Sequence, residues 1–202
     1  MKNPKVERWR NQTLVNRVNN DFAIATEYYT LVDCIVESFN KANQRFEIIQ
    51  NPLLHLMSHC IELRYKYVLL FAAEHYCKNN NINVKSIVHT HNLFKLYSEF
   101  AAICQQLQTE LGVSDDDKDL IKSTILPKNQ QLVSILQSNT TSYRYAKRRN
   151  KSGKVVGAGS PINSDKDSPN IMDLYPLFEE CNTNIVYVLT ILEAICVFRT
   201  SC

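Results

Sequence analysis

The segment from Asn51 to Asn79, NPLLHLMSHCIELRYKYVLLFAAEHYCKN, constrains the fold more than any other part of the chain. Asn51 is suited to cap a helix, and Pro52 to the first turn, where its missing N–H leaves no intrahelical bond unmade. The residues that follow are apolar on nearly every side of a helix, which is typical of a helix buried at the centre of a fold. We therefore predict a central helix around which the rest of the chain packs.

Four ionisable residues interrupt this apolar helix. His55, His59, Glu62 and Lys66 are spaced 4, 3 and 4 residues apart, so they share a stripe about 60° wide on a helix. A buried charge without a partner costs several kcal/mol, so each of these residues needs a partner. Glu62 and Lys66, four residues apart in the favourable order, can pair with each other. The stripe is either a structural network or the floor of a polar pocket.

Composition favours an all-α protein. The chain has 202 residues, 45% of them hydrophobic, and only four glycines. That length predicts one domain able to bury a core, and apolar residues recur at helical spacing. We predict an up-and-down bundle of five or six helices, formed by residues 21–202 after a basic lead-in at residues 1–20. The predicted helices cover residues 21–46, 51–79, 91–111 and 173–199, plus one that begins after Ser114, is kinked or split by Pro127 and ends near Ser138.

The lead-in and the cysteines bear on partners and location. Residues 1–20 carry five cations and one acid, and they hold the only tryptophan, Trp9. We expect Trp9 to dock on the body of the protein, with a nucleic-acid-binding arm as the alternative. The seven cysteines include no CxxC pair, and no apolar signal segment follows the N-terminus, which favours reduced thiols in a cytoplasmic protein. No membrane span is expected.

A long irregular stretch, residues 139–170, is predicted before the last helix. It holds six cations within eleven residues, flanked by tyrosines. Such a segment suits single-stranded RNA, because cations neutralise phosphates and tyrosines stack on bases. The alternative is a solvated loop. The candidate nucleic-acid-binding residues are Tyr143, Arg144, Tyr145, Lys147, Arg148, Arg149, Lys151 and Lys154.

A metal site on the central helix is a weaker prediction. His55 and His59, with Glu62 three residues further on, could place two imidazoles and a carboxylate on one face. However, this spacing is common in helices, and neither HExxH nor paired CxxC motifs occur. We predict no metal and no cofactor.

Three short stretches, taken in order, resemble the HEPN superfamily of small α-helical domains. They are HCIEL with Lys66 four residues beyond its glutamate, HNLFKL beginning at His91, and Tyr143–Arg144–Tyr145. The resemblance spans residues 25–199. It implies an up-and-down helical bundle, frequent homodimers, and a role in prokaryotic antiphage or toxin–antitoxin systems, where a partner protein is often present. Many members of the family cleave RNA without a metal.

The chain departs from the family at its catalytic motif. HEPN ribonucleases carry Arg-x4–6-His near the start of the last long helix, and no arginine here is followed by a histidine at that spacing. The usual catalytic pair therefore cannot be assigned. The remaining candidates for a catalytic pocket are Glu62, Lys66, His59, His91 and Arg144, in which Arg144 would hold a phosphate and a histidine would move protons.

Two functions follow from these residues and this resemblance. The first is an RNA-directed protein, which binds RNA or cleaves it without a metal. The second is a non-catalytic dimerisation or partner-binding module, in which the polar stripe is purely structural.

Overall fold

The computed structural model describes the backbone of residues 4–46, 49–76, 84–143, 148–149, 155–156 and 169–200, and the side chains of residues 20–46, 49–76, 84–137 and 169–199. These residues confirm the predicted all-α bundle. The helices are α1 (Pro4–Lys41), α2 (Gln50–Phe71), α3 (Val84–His89), α4 (Leu93–Thr109), α5 (Asp115–Leu120), α6 (Leu126–Tyr143) and α7 (Ile171–Thr200). Two π-helical turns, Ala72–Tyr76 and Ile121–Ile125, extend α2 and join α5 to α6. The described part of the chain thus forms six helical rods.

The central role predicted for α2 is confirmed. Its 22 residues include 14 that are buried, and it packs against α1, α4, α6 and α7. Residues from all of these helices form one continuous hydrophobic core, with Tyr65 of α2 and Phe100 of α4 among its largest fully buried side chains. The apolar surface of α2 is therefore covered by neighbouring helices on most of its circumference.

Helices α1 and α2 form an antiparallel hairpin. The Phe22 and Tyr67 rings lie 4.8 Å apart, and the Tyr28 ring meets the His59 ring edge-on at 4.9 Å. As the residue number rises along α1 it falls along α2, which defines the register of the pair. Helix α1 begins at Pro4, so the boundary predicted at residue 21 lies inside one continuous helix.

Several predicted helix ends are wrong. Helix α2 starts at Gln50, so Asn51 lies in its first turn and does not cap it. Helix α4 ends at Thr109, and Leu111, the last residue of the predicted helix, is 99% exposed in the turn that follows. The six-residue helix α3 was not predicted, because it is too short for the spacing of its core-facing residues, Val84, Ile87 and Val88, to stand out as a helical period.

The rod that runs from α5 to α6 shows how local chemistry directs the backbone. Ser114 caps α5 as predicted, since its hydroxyl accepts a hydrogen bond from the Asp117 N–H at 3.1 Å. Pro127 neither splits nor ends the rod. Instead the π turn Ile121–Ile125 precedes it, and the Leu126 N–H bonds to the Ile121 carbonyl. A π turn shifts the hydrogen-bond pattern by one residue, which absorbs the missing proline N–H.

The predicted irregular stretch is shorter than residues 139–170. Helix α6 continues to Tyr143, and α7 begins at Ile171. Within the stretch, Arg148–Arg149 and Val155–Val156 pair as a two-residue antiparallel ladder. This ladder is a local addition to a helical protein.

Helix α7 is long and apolar enough to meet the length and composition criteria for a membrane span. Its buried residues, including Phe178, Ile185 and Leu192, belong to the core of the bundle. The hydrophobicity of α7 is therefore explained by its packing as a core helix, which passes the same criteria.

Three of the described cysteines, Cys60, Cys104 and Cys181, are buried as small core residues, whereas Cys34 is exposed. The five described ones, Cys34, Cys60, Cys104, Cys181 and Cys196, are free thiols. Burial raises the pKa of Cys60 and of Cys181 to about 12. These two thiols are therefore protonated and unreactive at neutral pH.

Candidate functional site

Glu62 is the centre of the strongest polar cluster predicted from the sequence. Its side chain is 1% exposed, and its Oε1 accepts hydrogen bonds from Lys66 Nζ and His91 Nδ1, each at 2.8 Å. Lys66 is also buried, whereas the His91 side chain is 61% exposed. The cluster therefore extends from the core of the bundle to its surface.

The electrostatics of the cluster keep Glu62 ionised. Burial by itself would raise the pKa of Glu62, but the nearby His59 ring, the hydrogen bonds from Lys66 and His91, and the Lys66 charge lower it well below its ordinary value. An ionised carboxylate can only accept hydrogen bonds. His91 must therefore carry a hydrogen on Nδ1, which makes Nε2 the basic nitrogen of the neutral ring.

His59 belongs to the same stripe but is held differently. Its Nδ1 lies 3.9 Å from Glu62 Oε2, which is too far for a hydrogen bond, and this nitrogen has no hydrogen-bond partner among the described residues. The His59 ring also lies parallel to the His55 ring, with a centroid distance of 6.2 Å. The structure thus brings His59 close to Glu62 without completing a contact between them.

The turn between α3 and α4 delivers His91 to this cluster. Asn92 caps α4, because its side chain accepts a hydrogen bond from the Lys95 N–H. The next N–H, that of Leu93, donates to Gln137 Oε1 of α6 at 2.8 Å. Asn92 is therefore held by its capping hydrogen bond, and Leu93 by its hydrogen bond to α6. These two contacts fix the position of His91, which directly precedes them.

The Gln137 contact also relates the basic segment to the cluster. Helix α6 ends at Tyr143, six residues beyond Gln137, a rise of about 9 Å along the helix. Where the chain returns, the Pro169 carbonyl accepts a hydrogen bond from Gln50 at the start of α2. The two described residues nearest to the irregular stretch, Tyr143 before it and Pro169 towards its end, thus lie in the part of the bundle that holds His91 and the first half of α2.

Most of the predicted nucleic-acid-binding residues are not described individually. Arg148 and Arg149 form the first strand of the ladder, and Tyr143 is the last residue of α6. The side chains of these three residues, and all of Arg144, Tyr145, Lys147, Lys151 and Lys154, lie outside the described residues. Their roles stay predictions.

Sequence reasoning missed a second buried charge, Arg64. This side chain is 4% exposed, its Nε donates to Asn182 Oδ1 at 3.0 Å, and its Nη2 donates to the Thr26 hydroxyl at 3.1 Å. The guanidinium also lies 4.3 Å from the centre of the Phe22 ring. The sequence does contain a signal for this second polar face of α2, because Cys60 and Arg64 are four residues apart and so share one side of the helix. Two residues are too few to distinguish such a face from chance spacing.

No metal centre is formed by the residues described. Among them, no group of three or more His, Cys, Asp or Glu side chains is arranged to hold a metal ion.

No family model, curated protein or solved structure matches the chain.

Proposed function

We propose that this protein is an RNA-directed, HEPN-like component of a prokaryotic defence or toxin–antitoxin system, acting in the cytoplasm. The observation that supports the proposal is the contact of Leu93 with Gln137. Through this contact, the histidine bonded to a buried carboxylate lies near the end of α6, where the six-cation segment begins. RNA held along that segment would meet the exposed edge of His91.

In this proposal the Glu62–His91 contact supports metal-independent RNA cleavage. Glu62 orients the His91 ring and leaves its Nε2 able to accept a proton, as a carboxylate does in other catalytic pairs. His91 would take the proton of a ribose 2′-hydroxyl as that oxygen attacks the adjacent phosphorus. The bond from phosphorus to the 5′-oxygen then breaks, the 5′-oxygen takes a proton from water, and a cyclic phosphate remains. Arg144 would stabilise the negative charge on the phosphorane.

Cleavage of a labelled single-stranded RNA by the purified chain, with a chelator present, tests this proposal. We expect wild-type protein to cleave, and His91→Ala and Arg144→Ala each to lose at least about 100-fold in rate, the usual contribution of general acid–base catalysis. His89→Ala is the matched control, because His89 is an exposed histidine two residues away. Equal cleavage by His91→Ala and wild type would refute a catalytic role for His91.

The burial of Lys66 favours a second candidate function, a non-catalytic module. A lysine that is 7% exposed and bonded to a 1% exposed glutamate is also what a structural ion pair looks like. In this case the chain would bind RNA or a partner protein without cleaving. RNA binding with no cleavage at any protein concentration, and no change on His91→Ala, would favour the module over the enzyme.

A further inference from the structure

Glu62 has one histidine beside each of its two carboxylate oxygens. His91 Nδ1 lies 2.8 Å from Oε1, and His59 Nδ1 lies 3.9 Å from Oε2. One ring comes from the turn between α3 and α4, and the other comes from α2 itself. Because both oxygens belong to one buried carboxyl group, the two imidazoles are gathered around a single fixed point.

Both rings extend from this carboxylate to the surface. Of the two nitrogens of His59, Nδ1 is the one that is buried without a partner, and 29% of the side chain is exposed. The His91 side chain is 61% exposed. Tyr28 of α1 and His55 of α2 pack against the His59 ring and hold its plane. The surface above Glu62 therefore presents two histidines to one bound molecule.

The two contacts with Glu62 differ, and the difference separates the roles of the histidines. The hydrogen bond of His91 is complete, so its Nε2 is left to accept a proton. The contact of His59 is open, but its length exceeds the upper limit of about 3.2 Å for an N–H···O bond by less than about 1 Å. A protonated His59 has an N–H on both nitrogens, so a small movement lets Nδ1 donate to Glu62 while Nε2 donates to a ligand. Catalytic hydrogen bonds are often long in a free enzyme and shorten when substrate binds.

We propose that His59 is the general acid of the RNA cleavage described above, an inference that rests on that proposed function. His91 Nε2 takes the proton of the 2′-hydroxyl, the 2′-oxygen bonds to phosphorus, and the bond from phosphorus to the 5′-oxygen breaks. The electron pair of that bond stays on the 5′-oxygen, which takes the Nε2 proton of His59 in place of one from water. His91 then gives its proton to water and His59 regains one from water, which restores the starting state.

An RNA with sulfur in place of the bridging 5′-oxygen at one linkage tests this role. A thiol has a pKa of about 8.5, far below that of an alcohol, so a thiolate leaves without being protonated. We expect His59→Ala to lose at least about 100-fold in the rate of cleavage of ordinary RNA and to cleave the sulfur-substituted linkage at nearly the wild-type rate. His91→Ala should be slow on both substrates, because the 2′-hydroxyl still needs a base. His75→Ala, which removes an exposed histidine beyond the end of α2, is the control and should cleave both normally.

The pH profile and a second variant separate acid catalysis from a structural role. On ordinary RNA the wild-type rate should fall at high pH, where His59 has lost its proton, and this fall should be absent with the sulfur-substituted RNA. His59→Gln, which keeps a polar side chain but no acidic nitrogen, should behave as His59→Ala does.

The same measurements distinguish failure of this inference from failure of the proposed function. If wild type cleaves and both His59 variants are either unimpaired or equally impaired on the two substrates, His59 is not the acid, and the proposed function stands. If wild type cleaves neither substrate, the proposed function is overturned and this inference with it.

Discussion

Three charged side chains are buried among the described residues, Glu62, Arg64 and Lys66, and each is compensated in a different way. Glu62 and Lys66 neutralise each other at 2.8 Å. Arg64 has neutral oxygens of Asn182 and Thr26 and the face of Phe22 around it, and its Nη1 has no hydrogen-bond partner. Glu62 is therefore the buried charge on α2 whose removal should lower the free energy of unfolding most clearly.

Glu62→Gln should lower the free energy of unfolding by about 3–5 kcal/mol, because it leaves the Lys66 ammonium buried without a counter-charge. Urea denaturation at neutral pH measures this change. Glu27→Gln, at an exposed site on α1, is the matched control and should change the free energy by less than about 0.5 kcal/mol. Adding Lys66→Met to Glu62→Gln should recover much of the loss. A double variant no more stable than Glu62→Gln would contradict this account of the pair.

The pH dependence of stability should carry the signature of the same carboxylate. The pKa of Glu62 is lowered in the folded state from its ordinary value of 4.5, so the unfolded chain binds the proton more tightly. The Glu62 contribution is therefore fully present above about pH 5 and is lost progressively as the pH falls from there towards the lowered pKa of the folded state. Urea denaturation at a series of pH values from about 5 downwards should show that the free energy of unfolding falls less steeply with pH in Glu62→Gln than in wild type. Parallel curves would show that Glu62 titrates alike in the folded and unfolded states.

The sequence predicted part of this cluster and missed the rest for physical reasons. Glu62 and Lys66 share a helical face by spacing alone, so their pairing followed from one element. The approach of His91 was predicted only as a possibility, because it depends on how α3 and α4 are joined. Arg64 was not predicted, since its partners lie on α1 and α7 and no local pattern encodes a contact between distant helices.

Helix termini show the same division between local and tertiary control. Ser114 was recognised as a cap because its partner, Asp117, is three residues away. The start of α2 was misplaced at Asn51, since the chain enters that helix by a turn in which the Ile49 N–H bonds to the Phe46 carbonyl. The π turn before Pro127 was not predicted, because a proline pattern shows that a hydrogen bond is missing but not how the backbone compensates.

Ser114→Ala should lower the free energy of unfolding by about 1 kcal/mol, since the Asp117 N–H loses its acceptor at the first turn of α5. Thermal or urea denaturation measures this, and Ser114→Thr should retain most of the stability. Ser98→Ala, at an exposed position on α4, is the control for loss of a serine hydroxyl without a cap. Equal effects of the two alanine variants would mean that the cap contributes nothing to the rod.

In the molecule as a whole, the bundle presents different chemistry at its two ends. One end has Gln50, the last turn of α6 and both described ends of the cationic segment, and the other has Tyr76, Glu110 and the α7 groove, which lies between the C-terminal half of α7 and the turn that joins α4 to α5. The proposed RNA contact therefore belongs to the first end of the bundle, and the α7 groove lies apart from it.

The salt dependence of RNA binding tests whether the cationic segment acts as the backbone contact. Each phosphate neutralised on single-stranded RNA contributes about −0.7 to the slope of log affinity against log salt concentration. Replacing Lys147, Arg148 and Arg149 by glutamine should therefore make the slope less negative by about 2. The control replaces three lysines outside the segment, Lys41, Lys118 and Lys122, and has the same change in net charge. If both triple variants reduce the slope equally, RNA is attracted by the total charge of the protein and the segment is not its binding site.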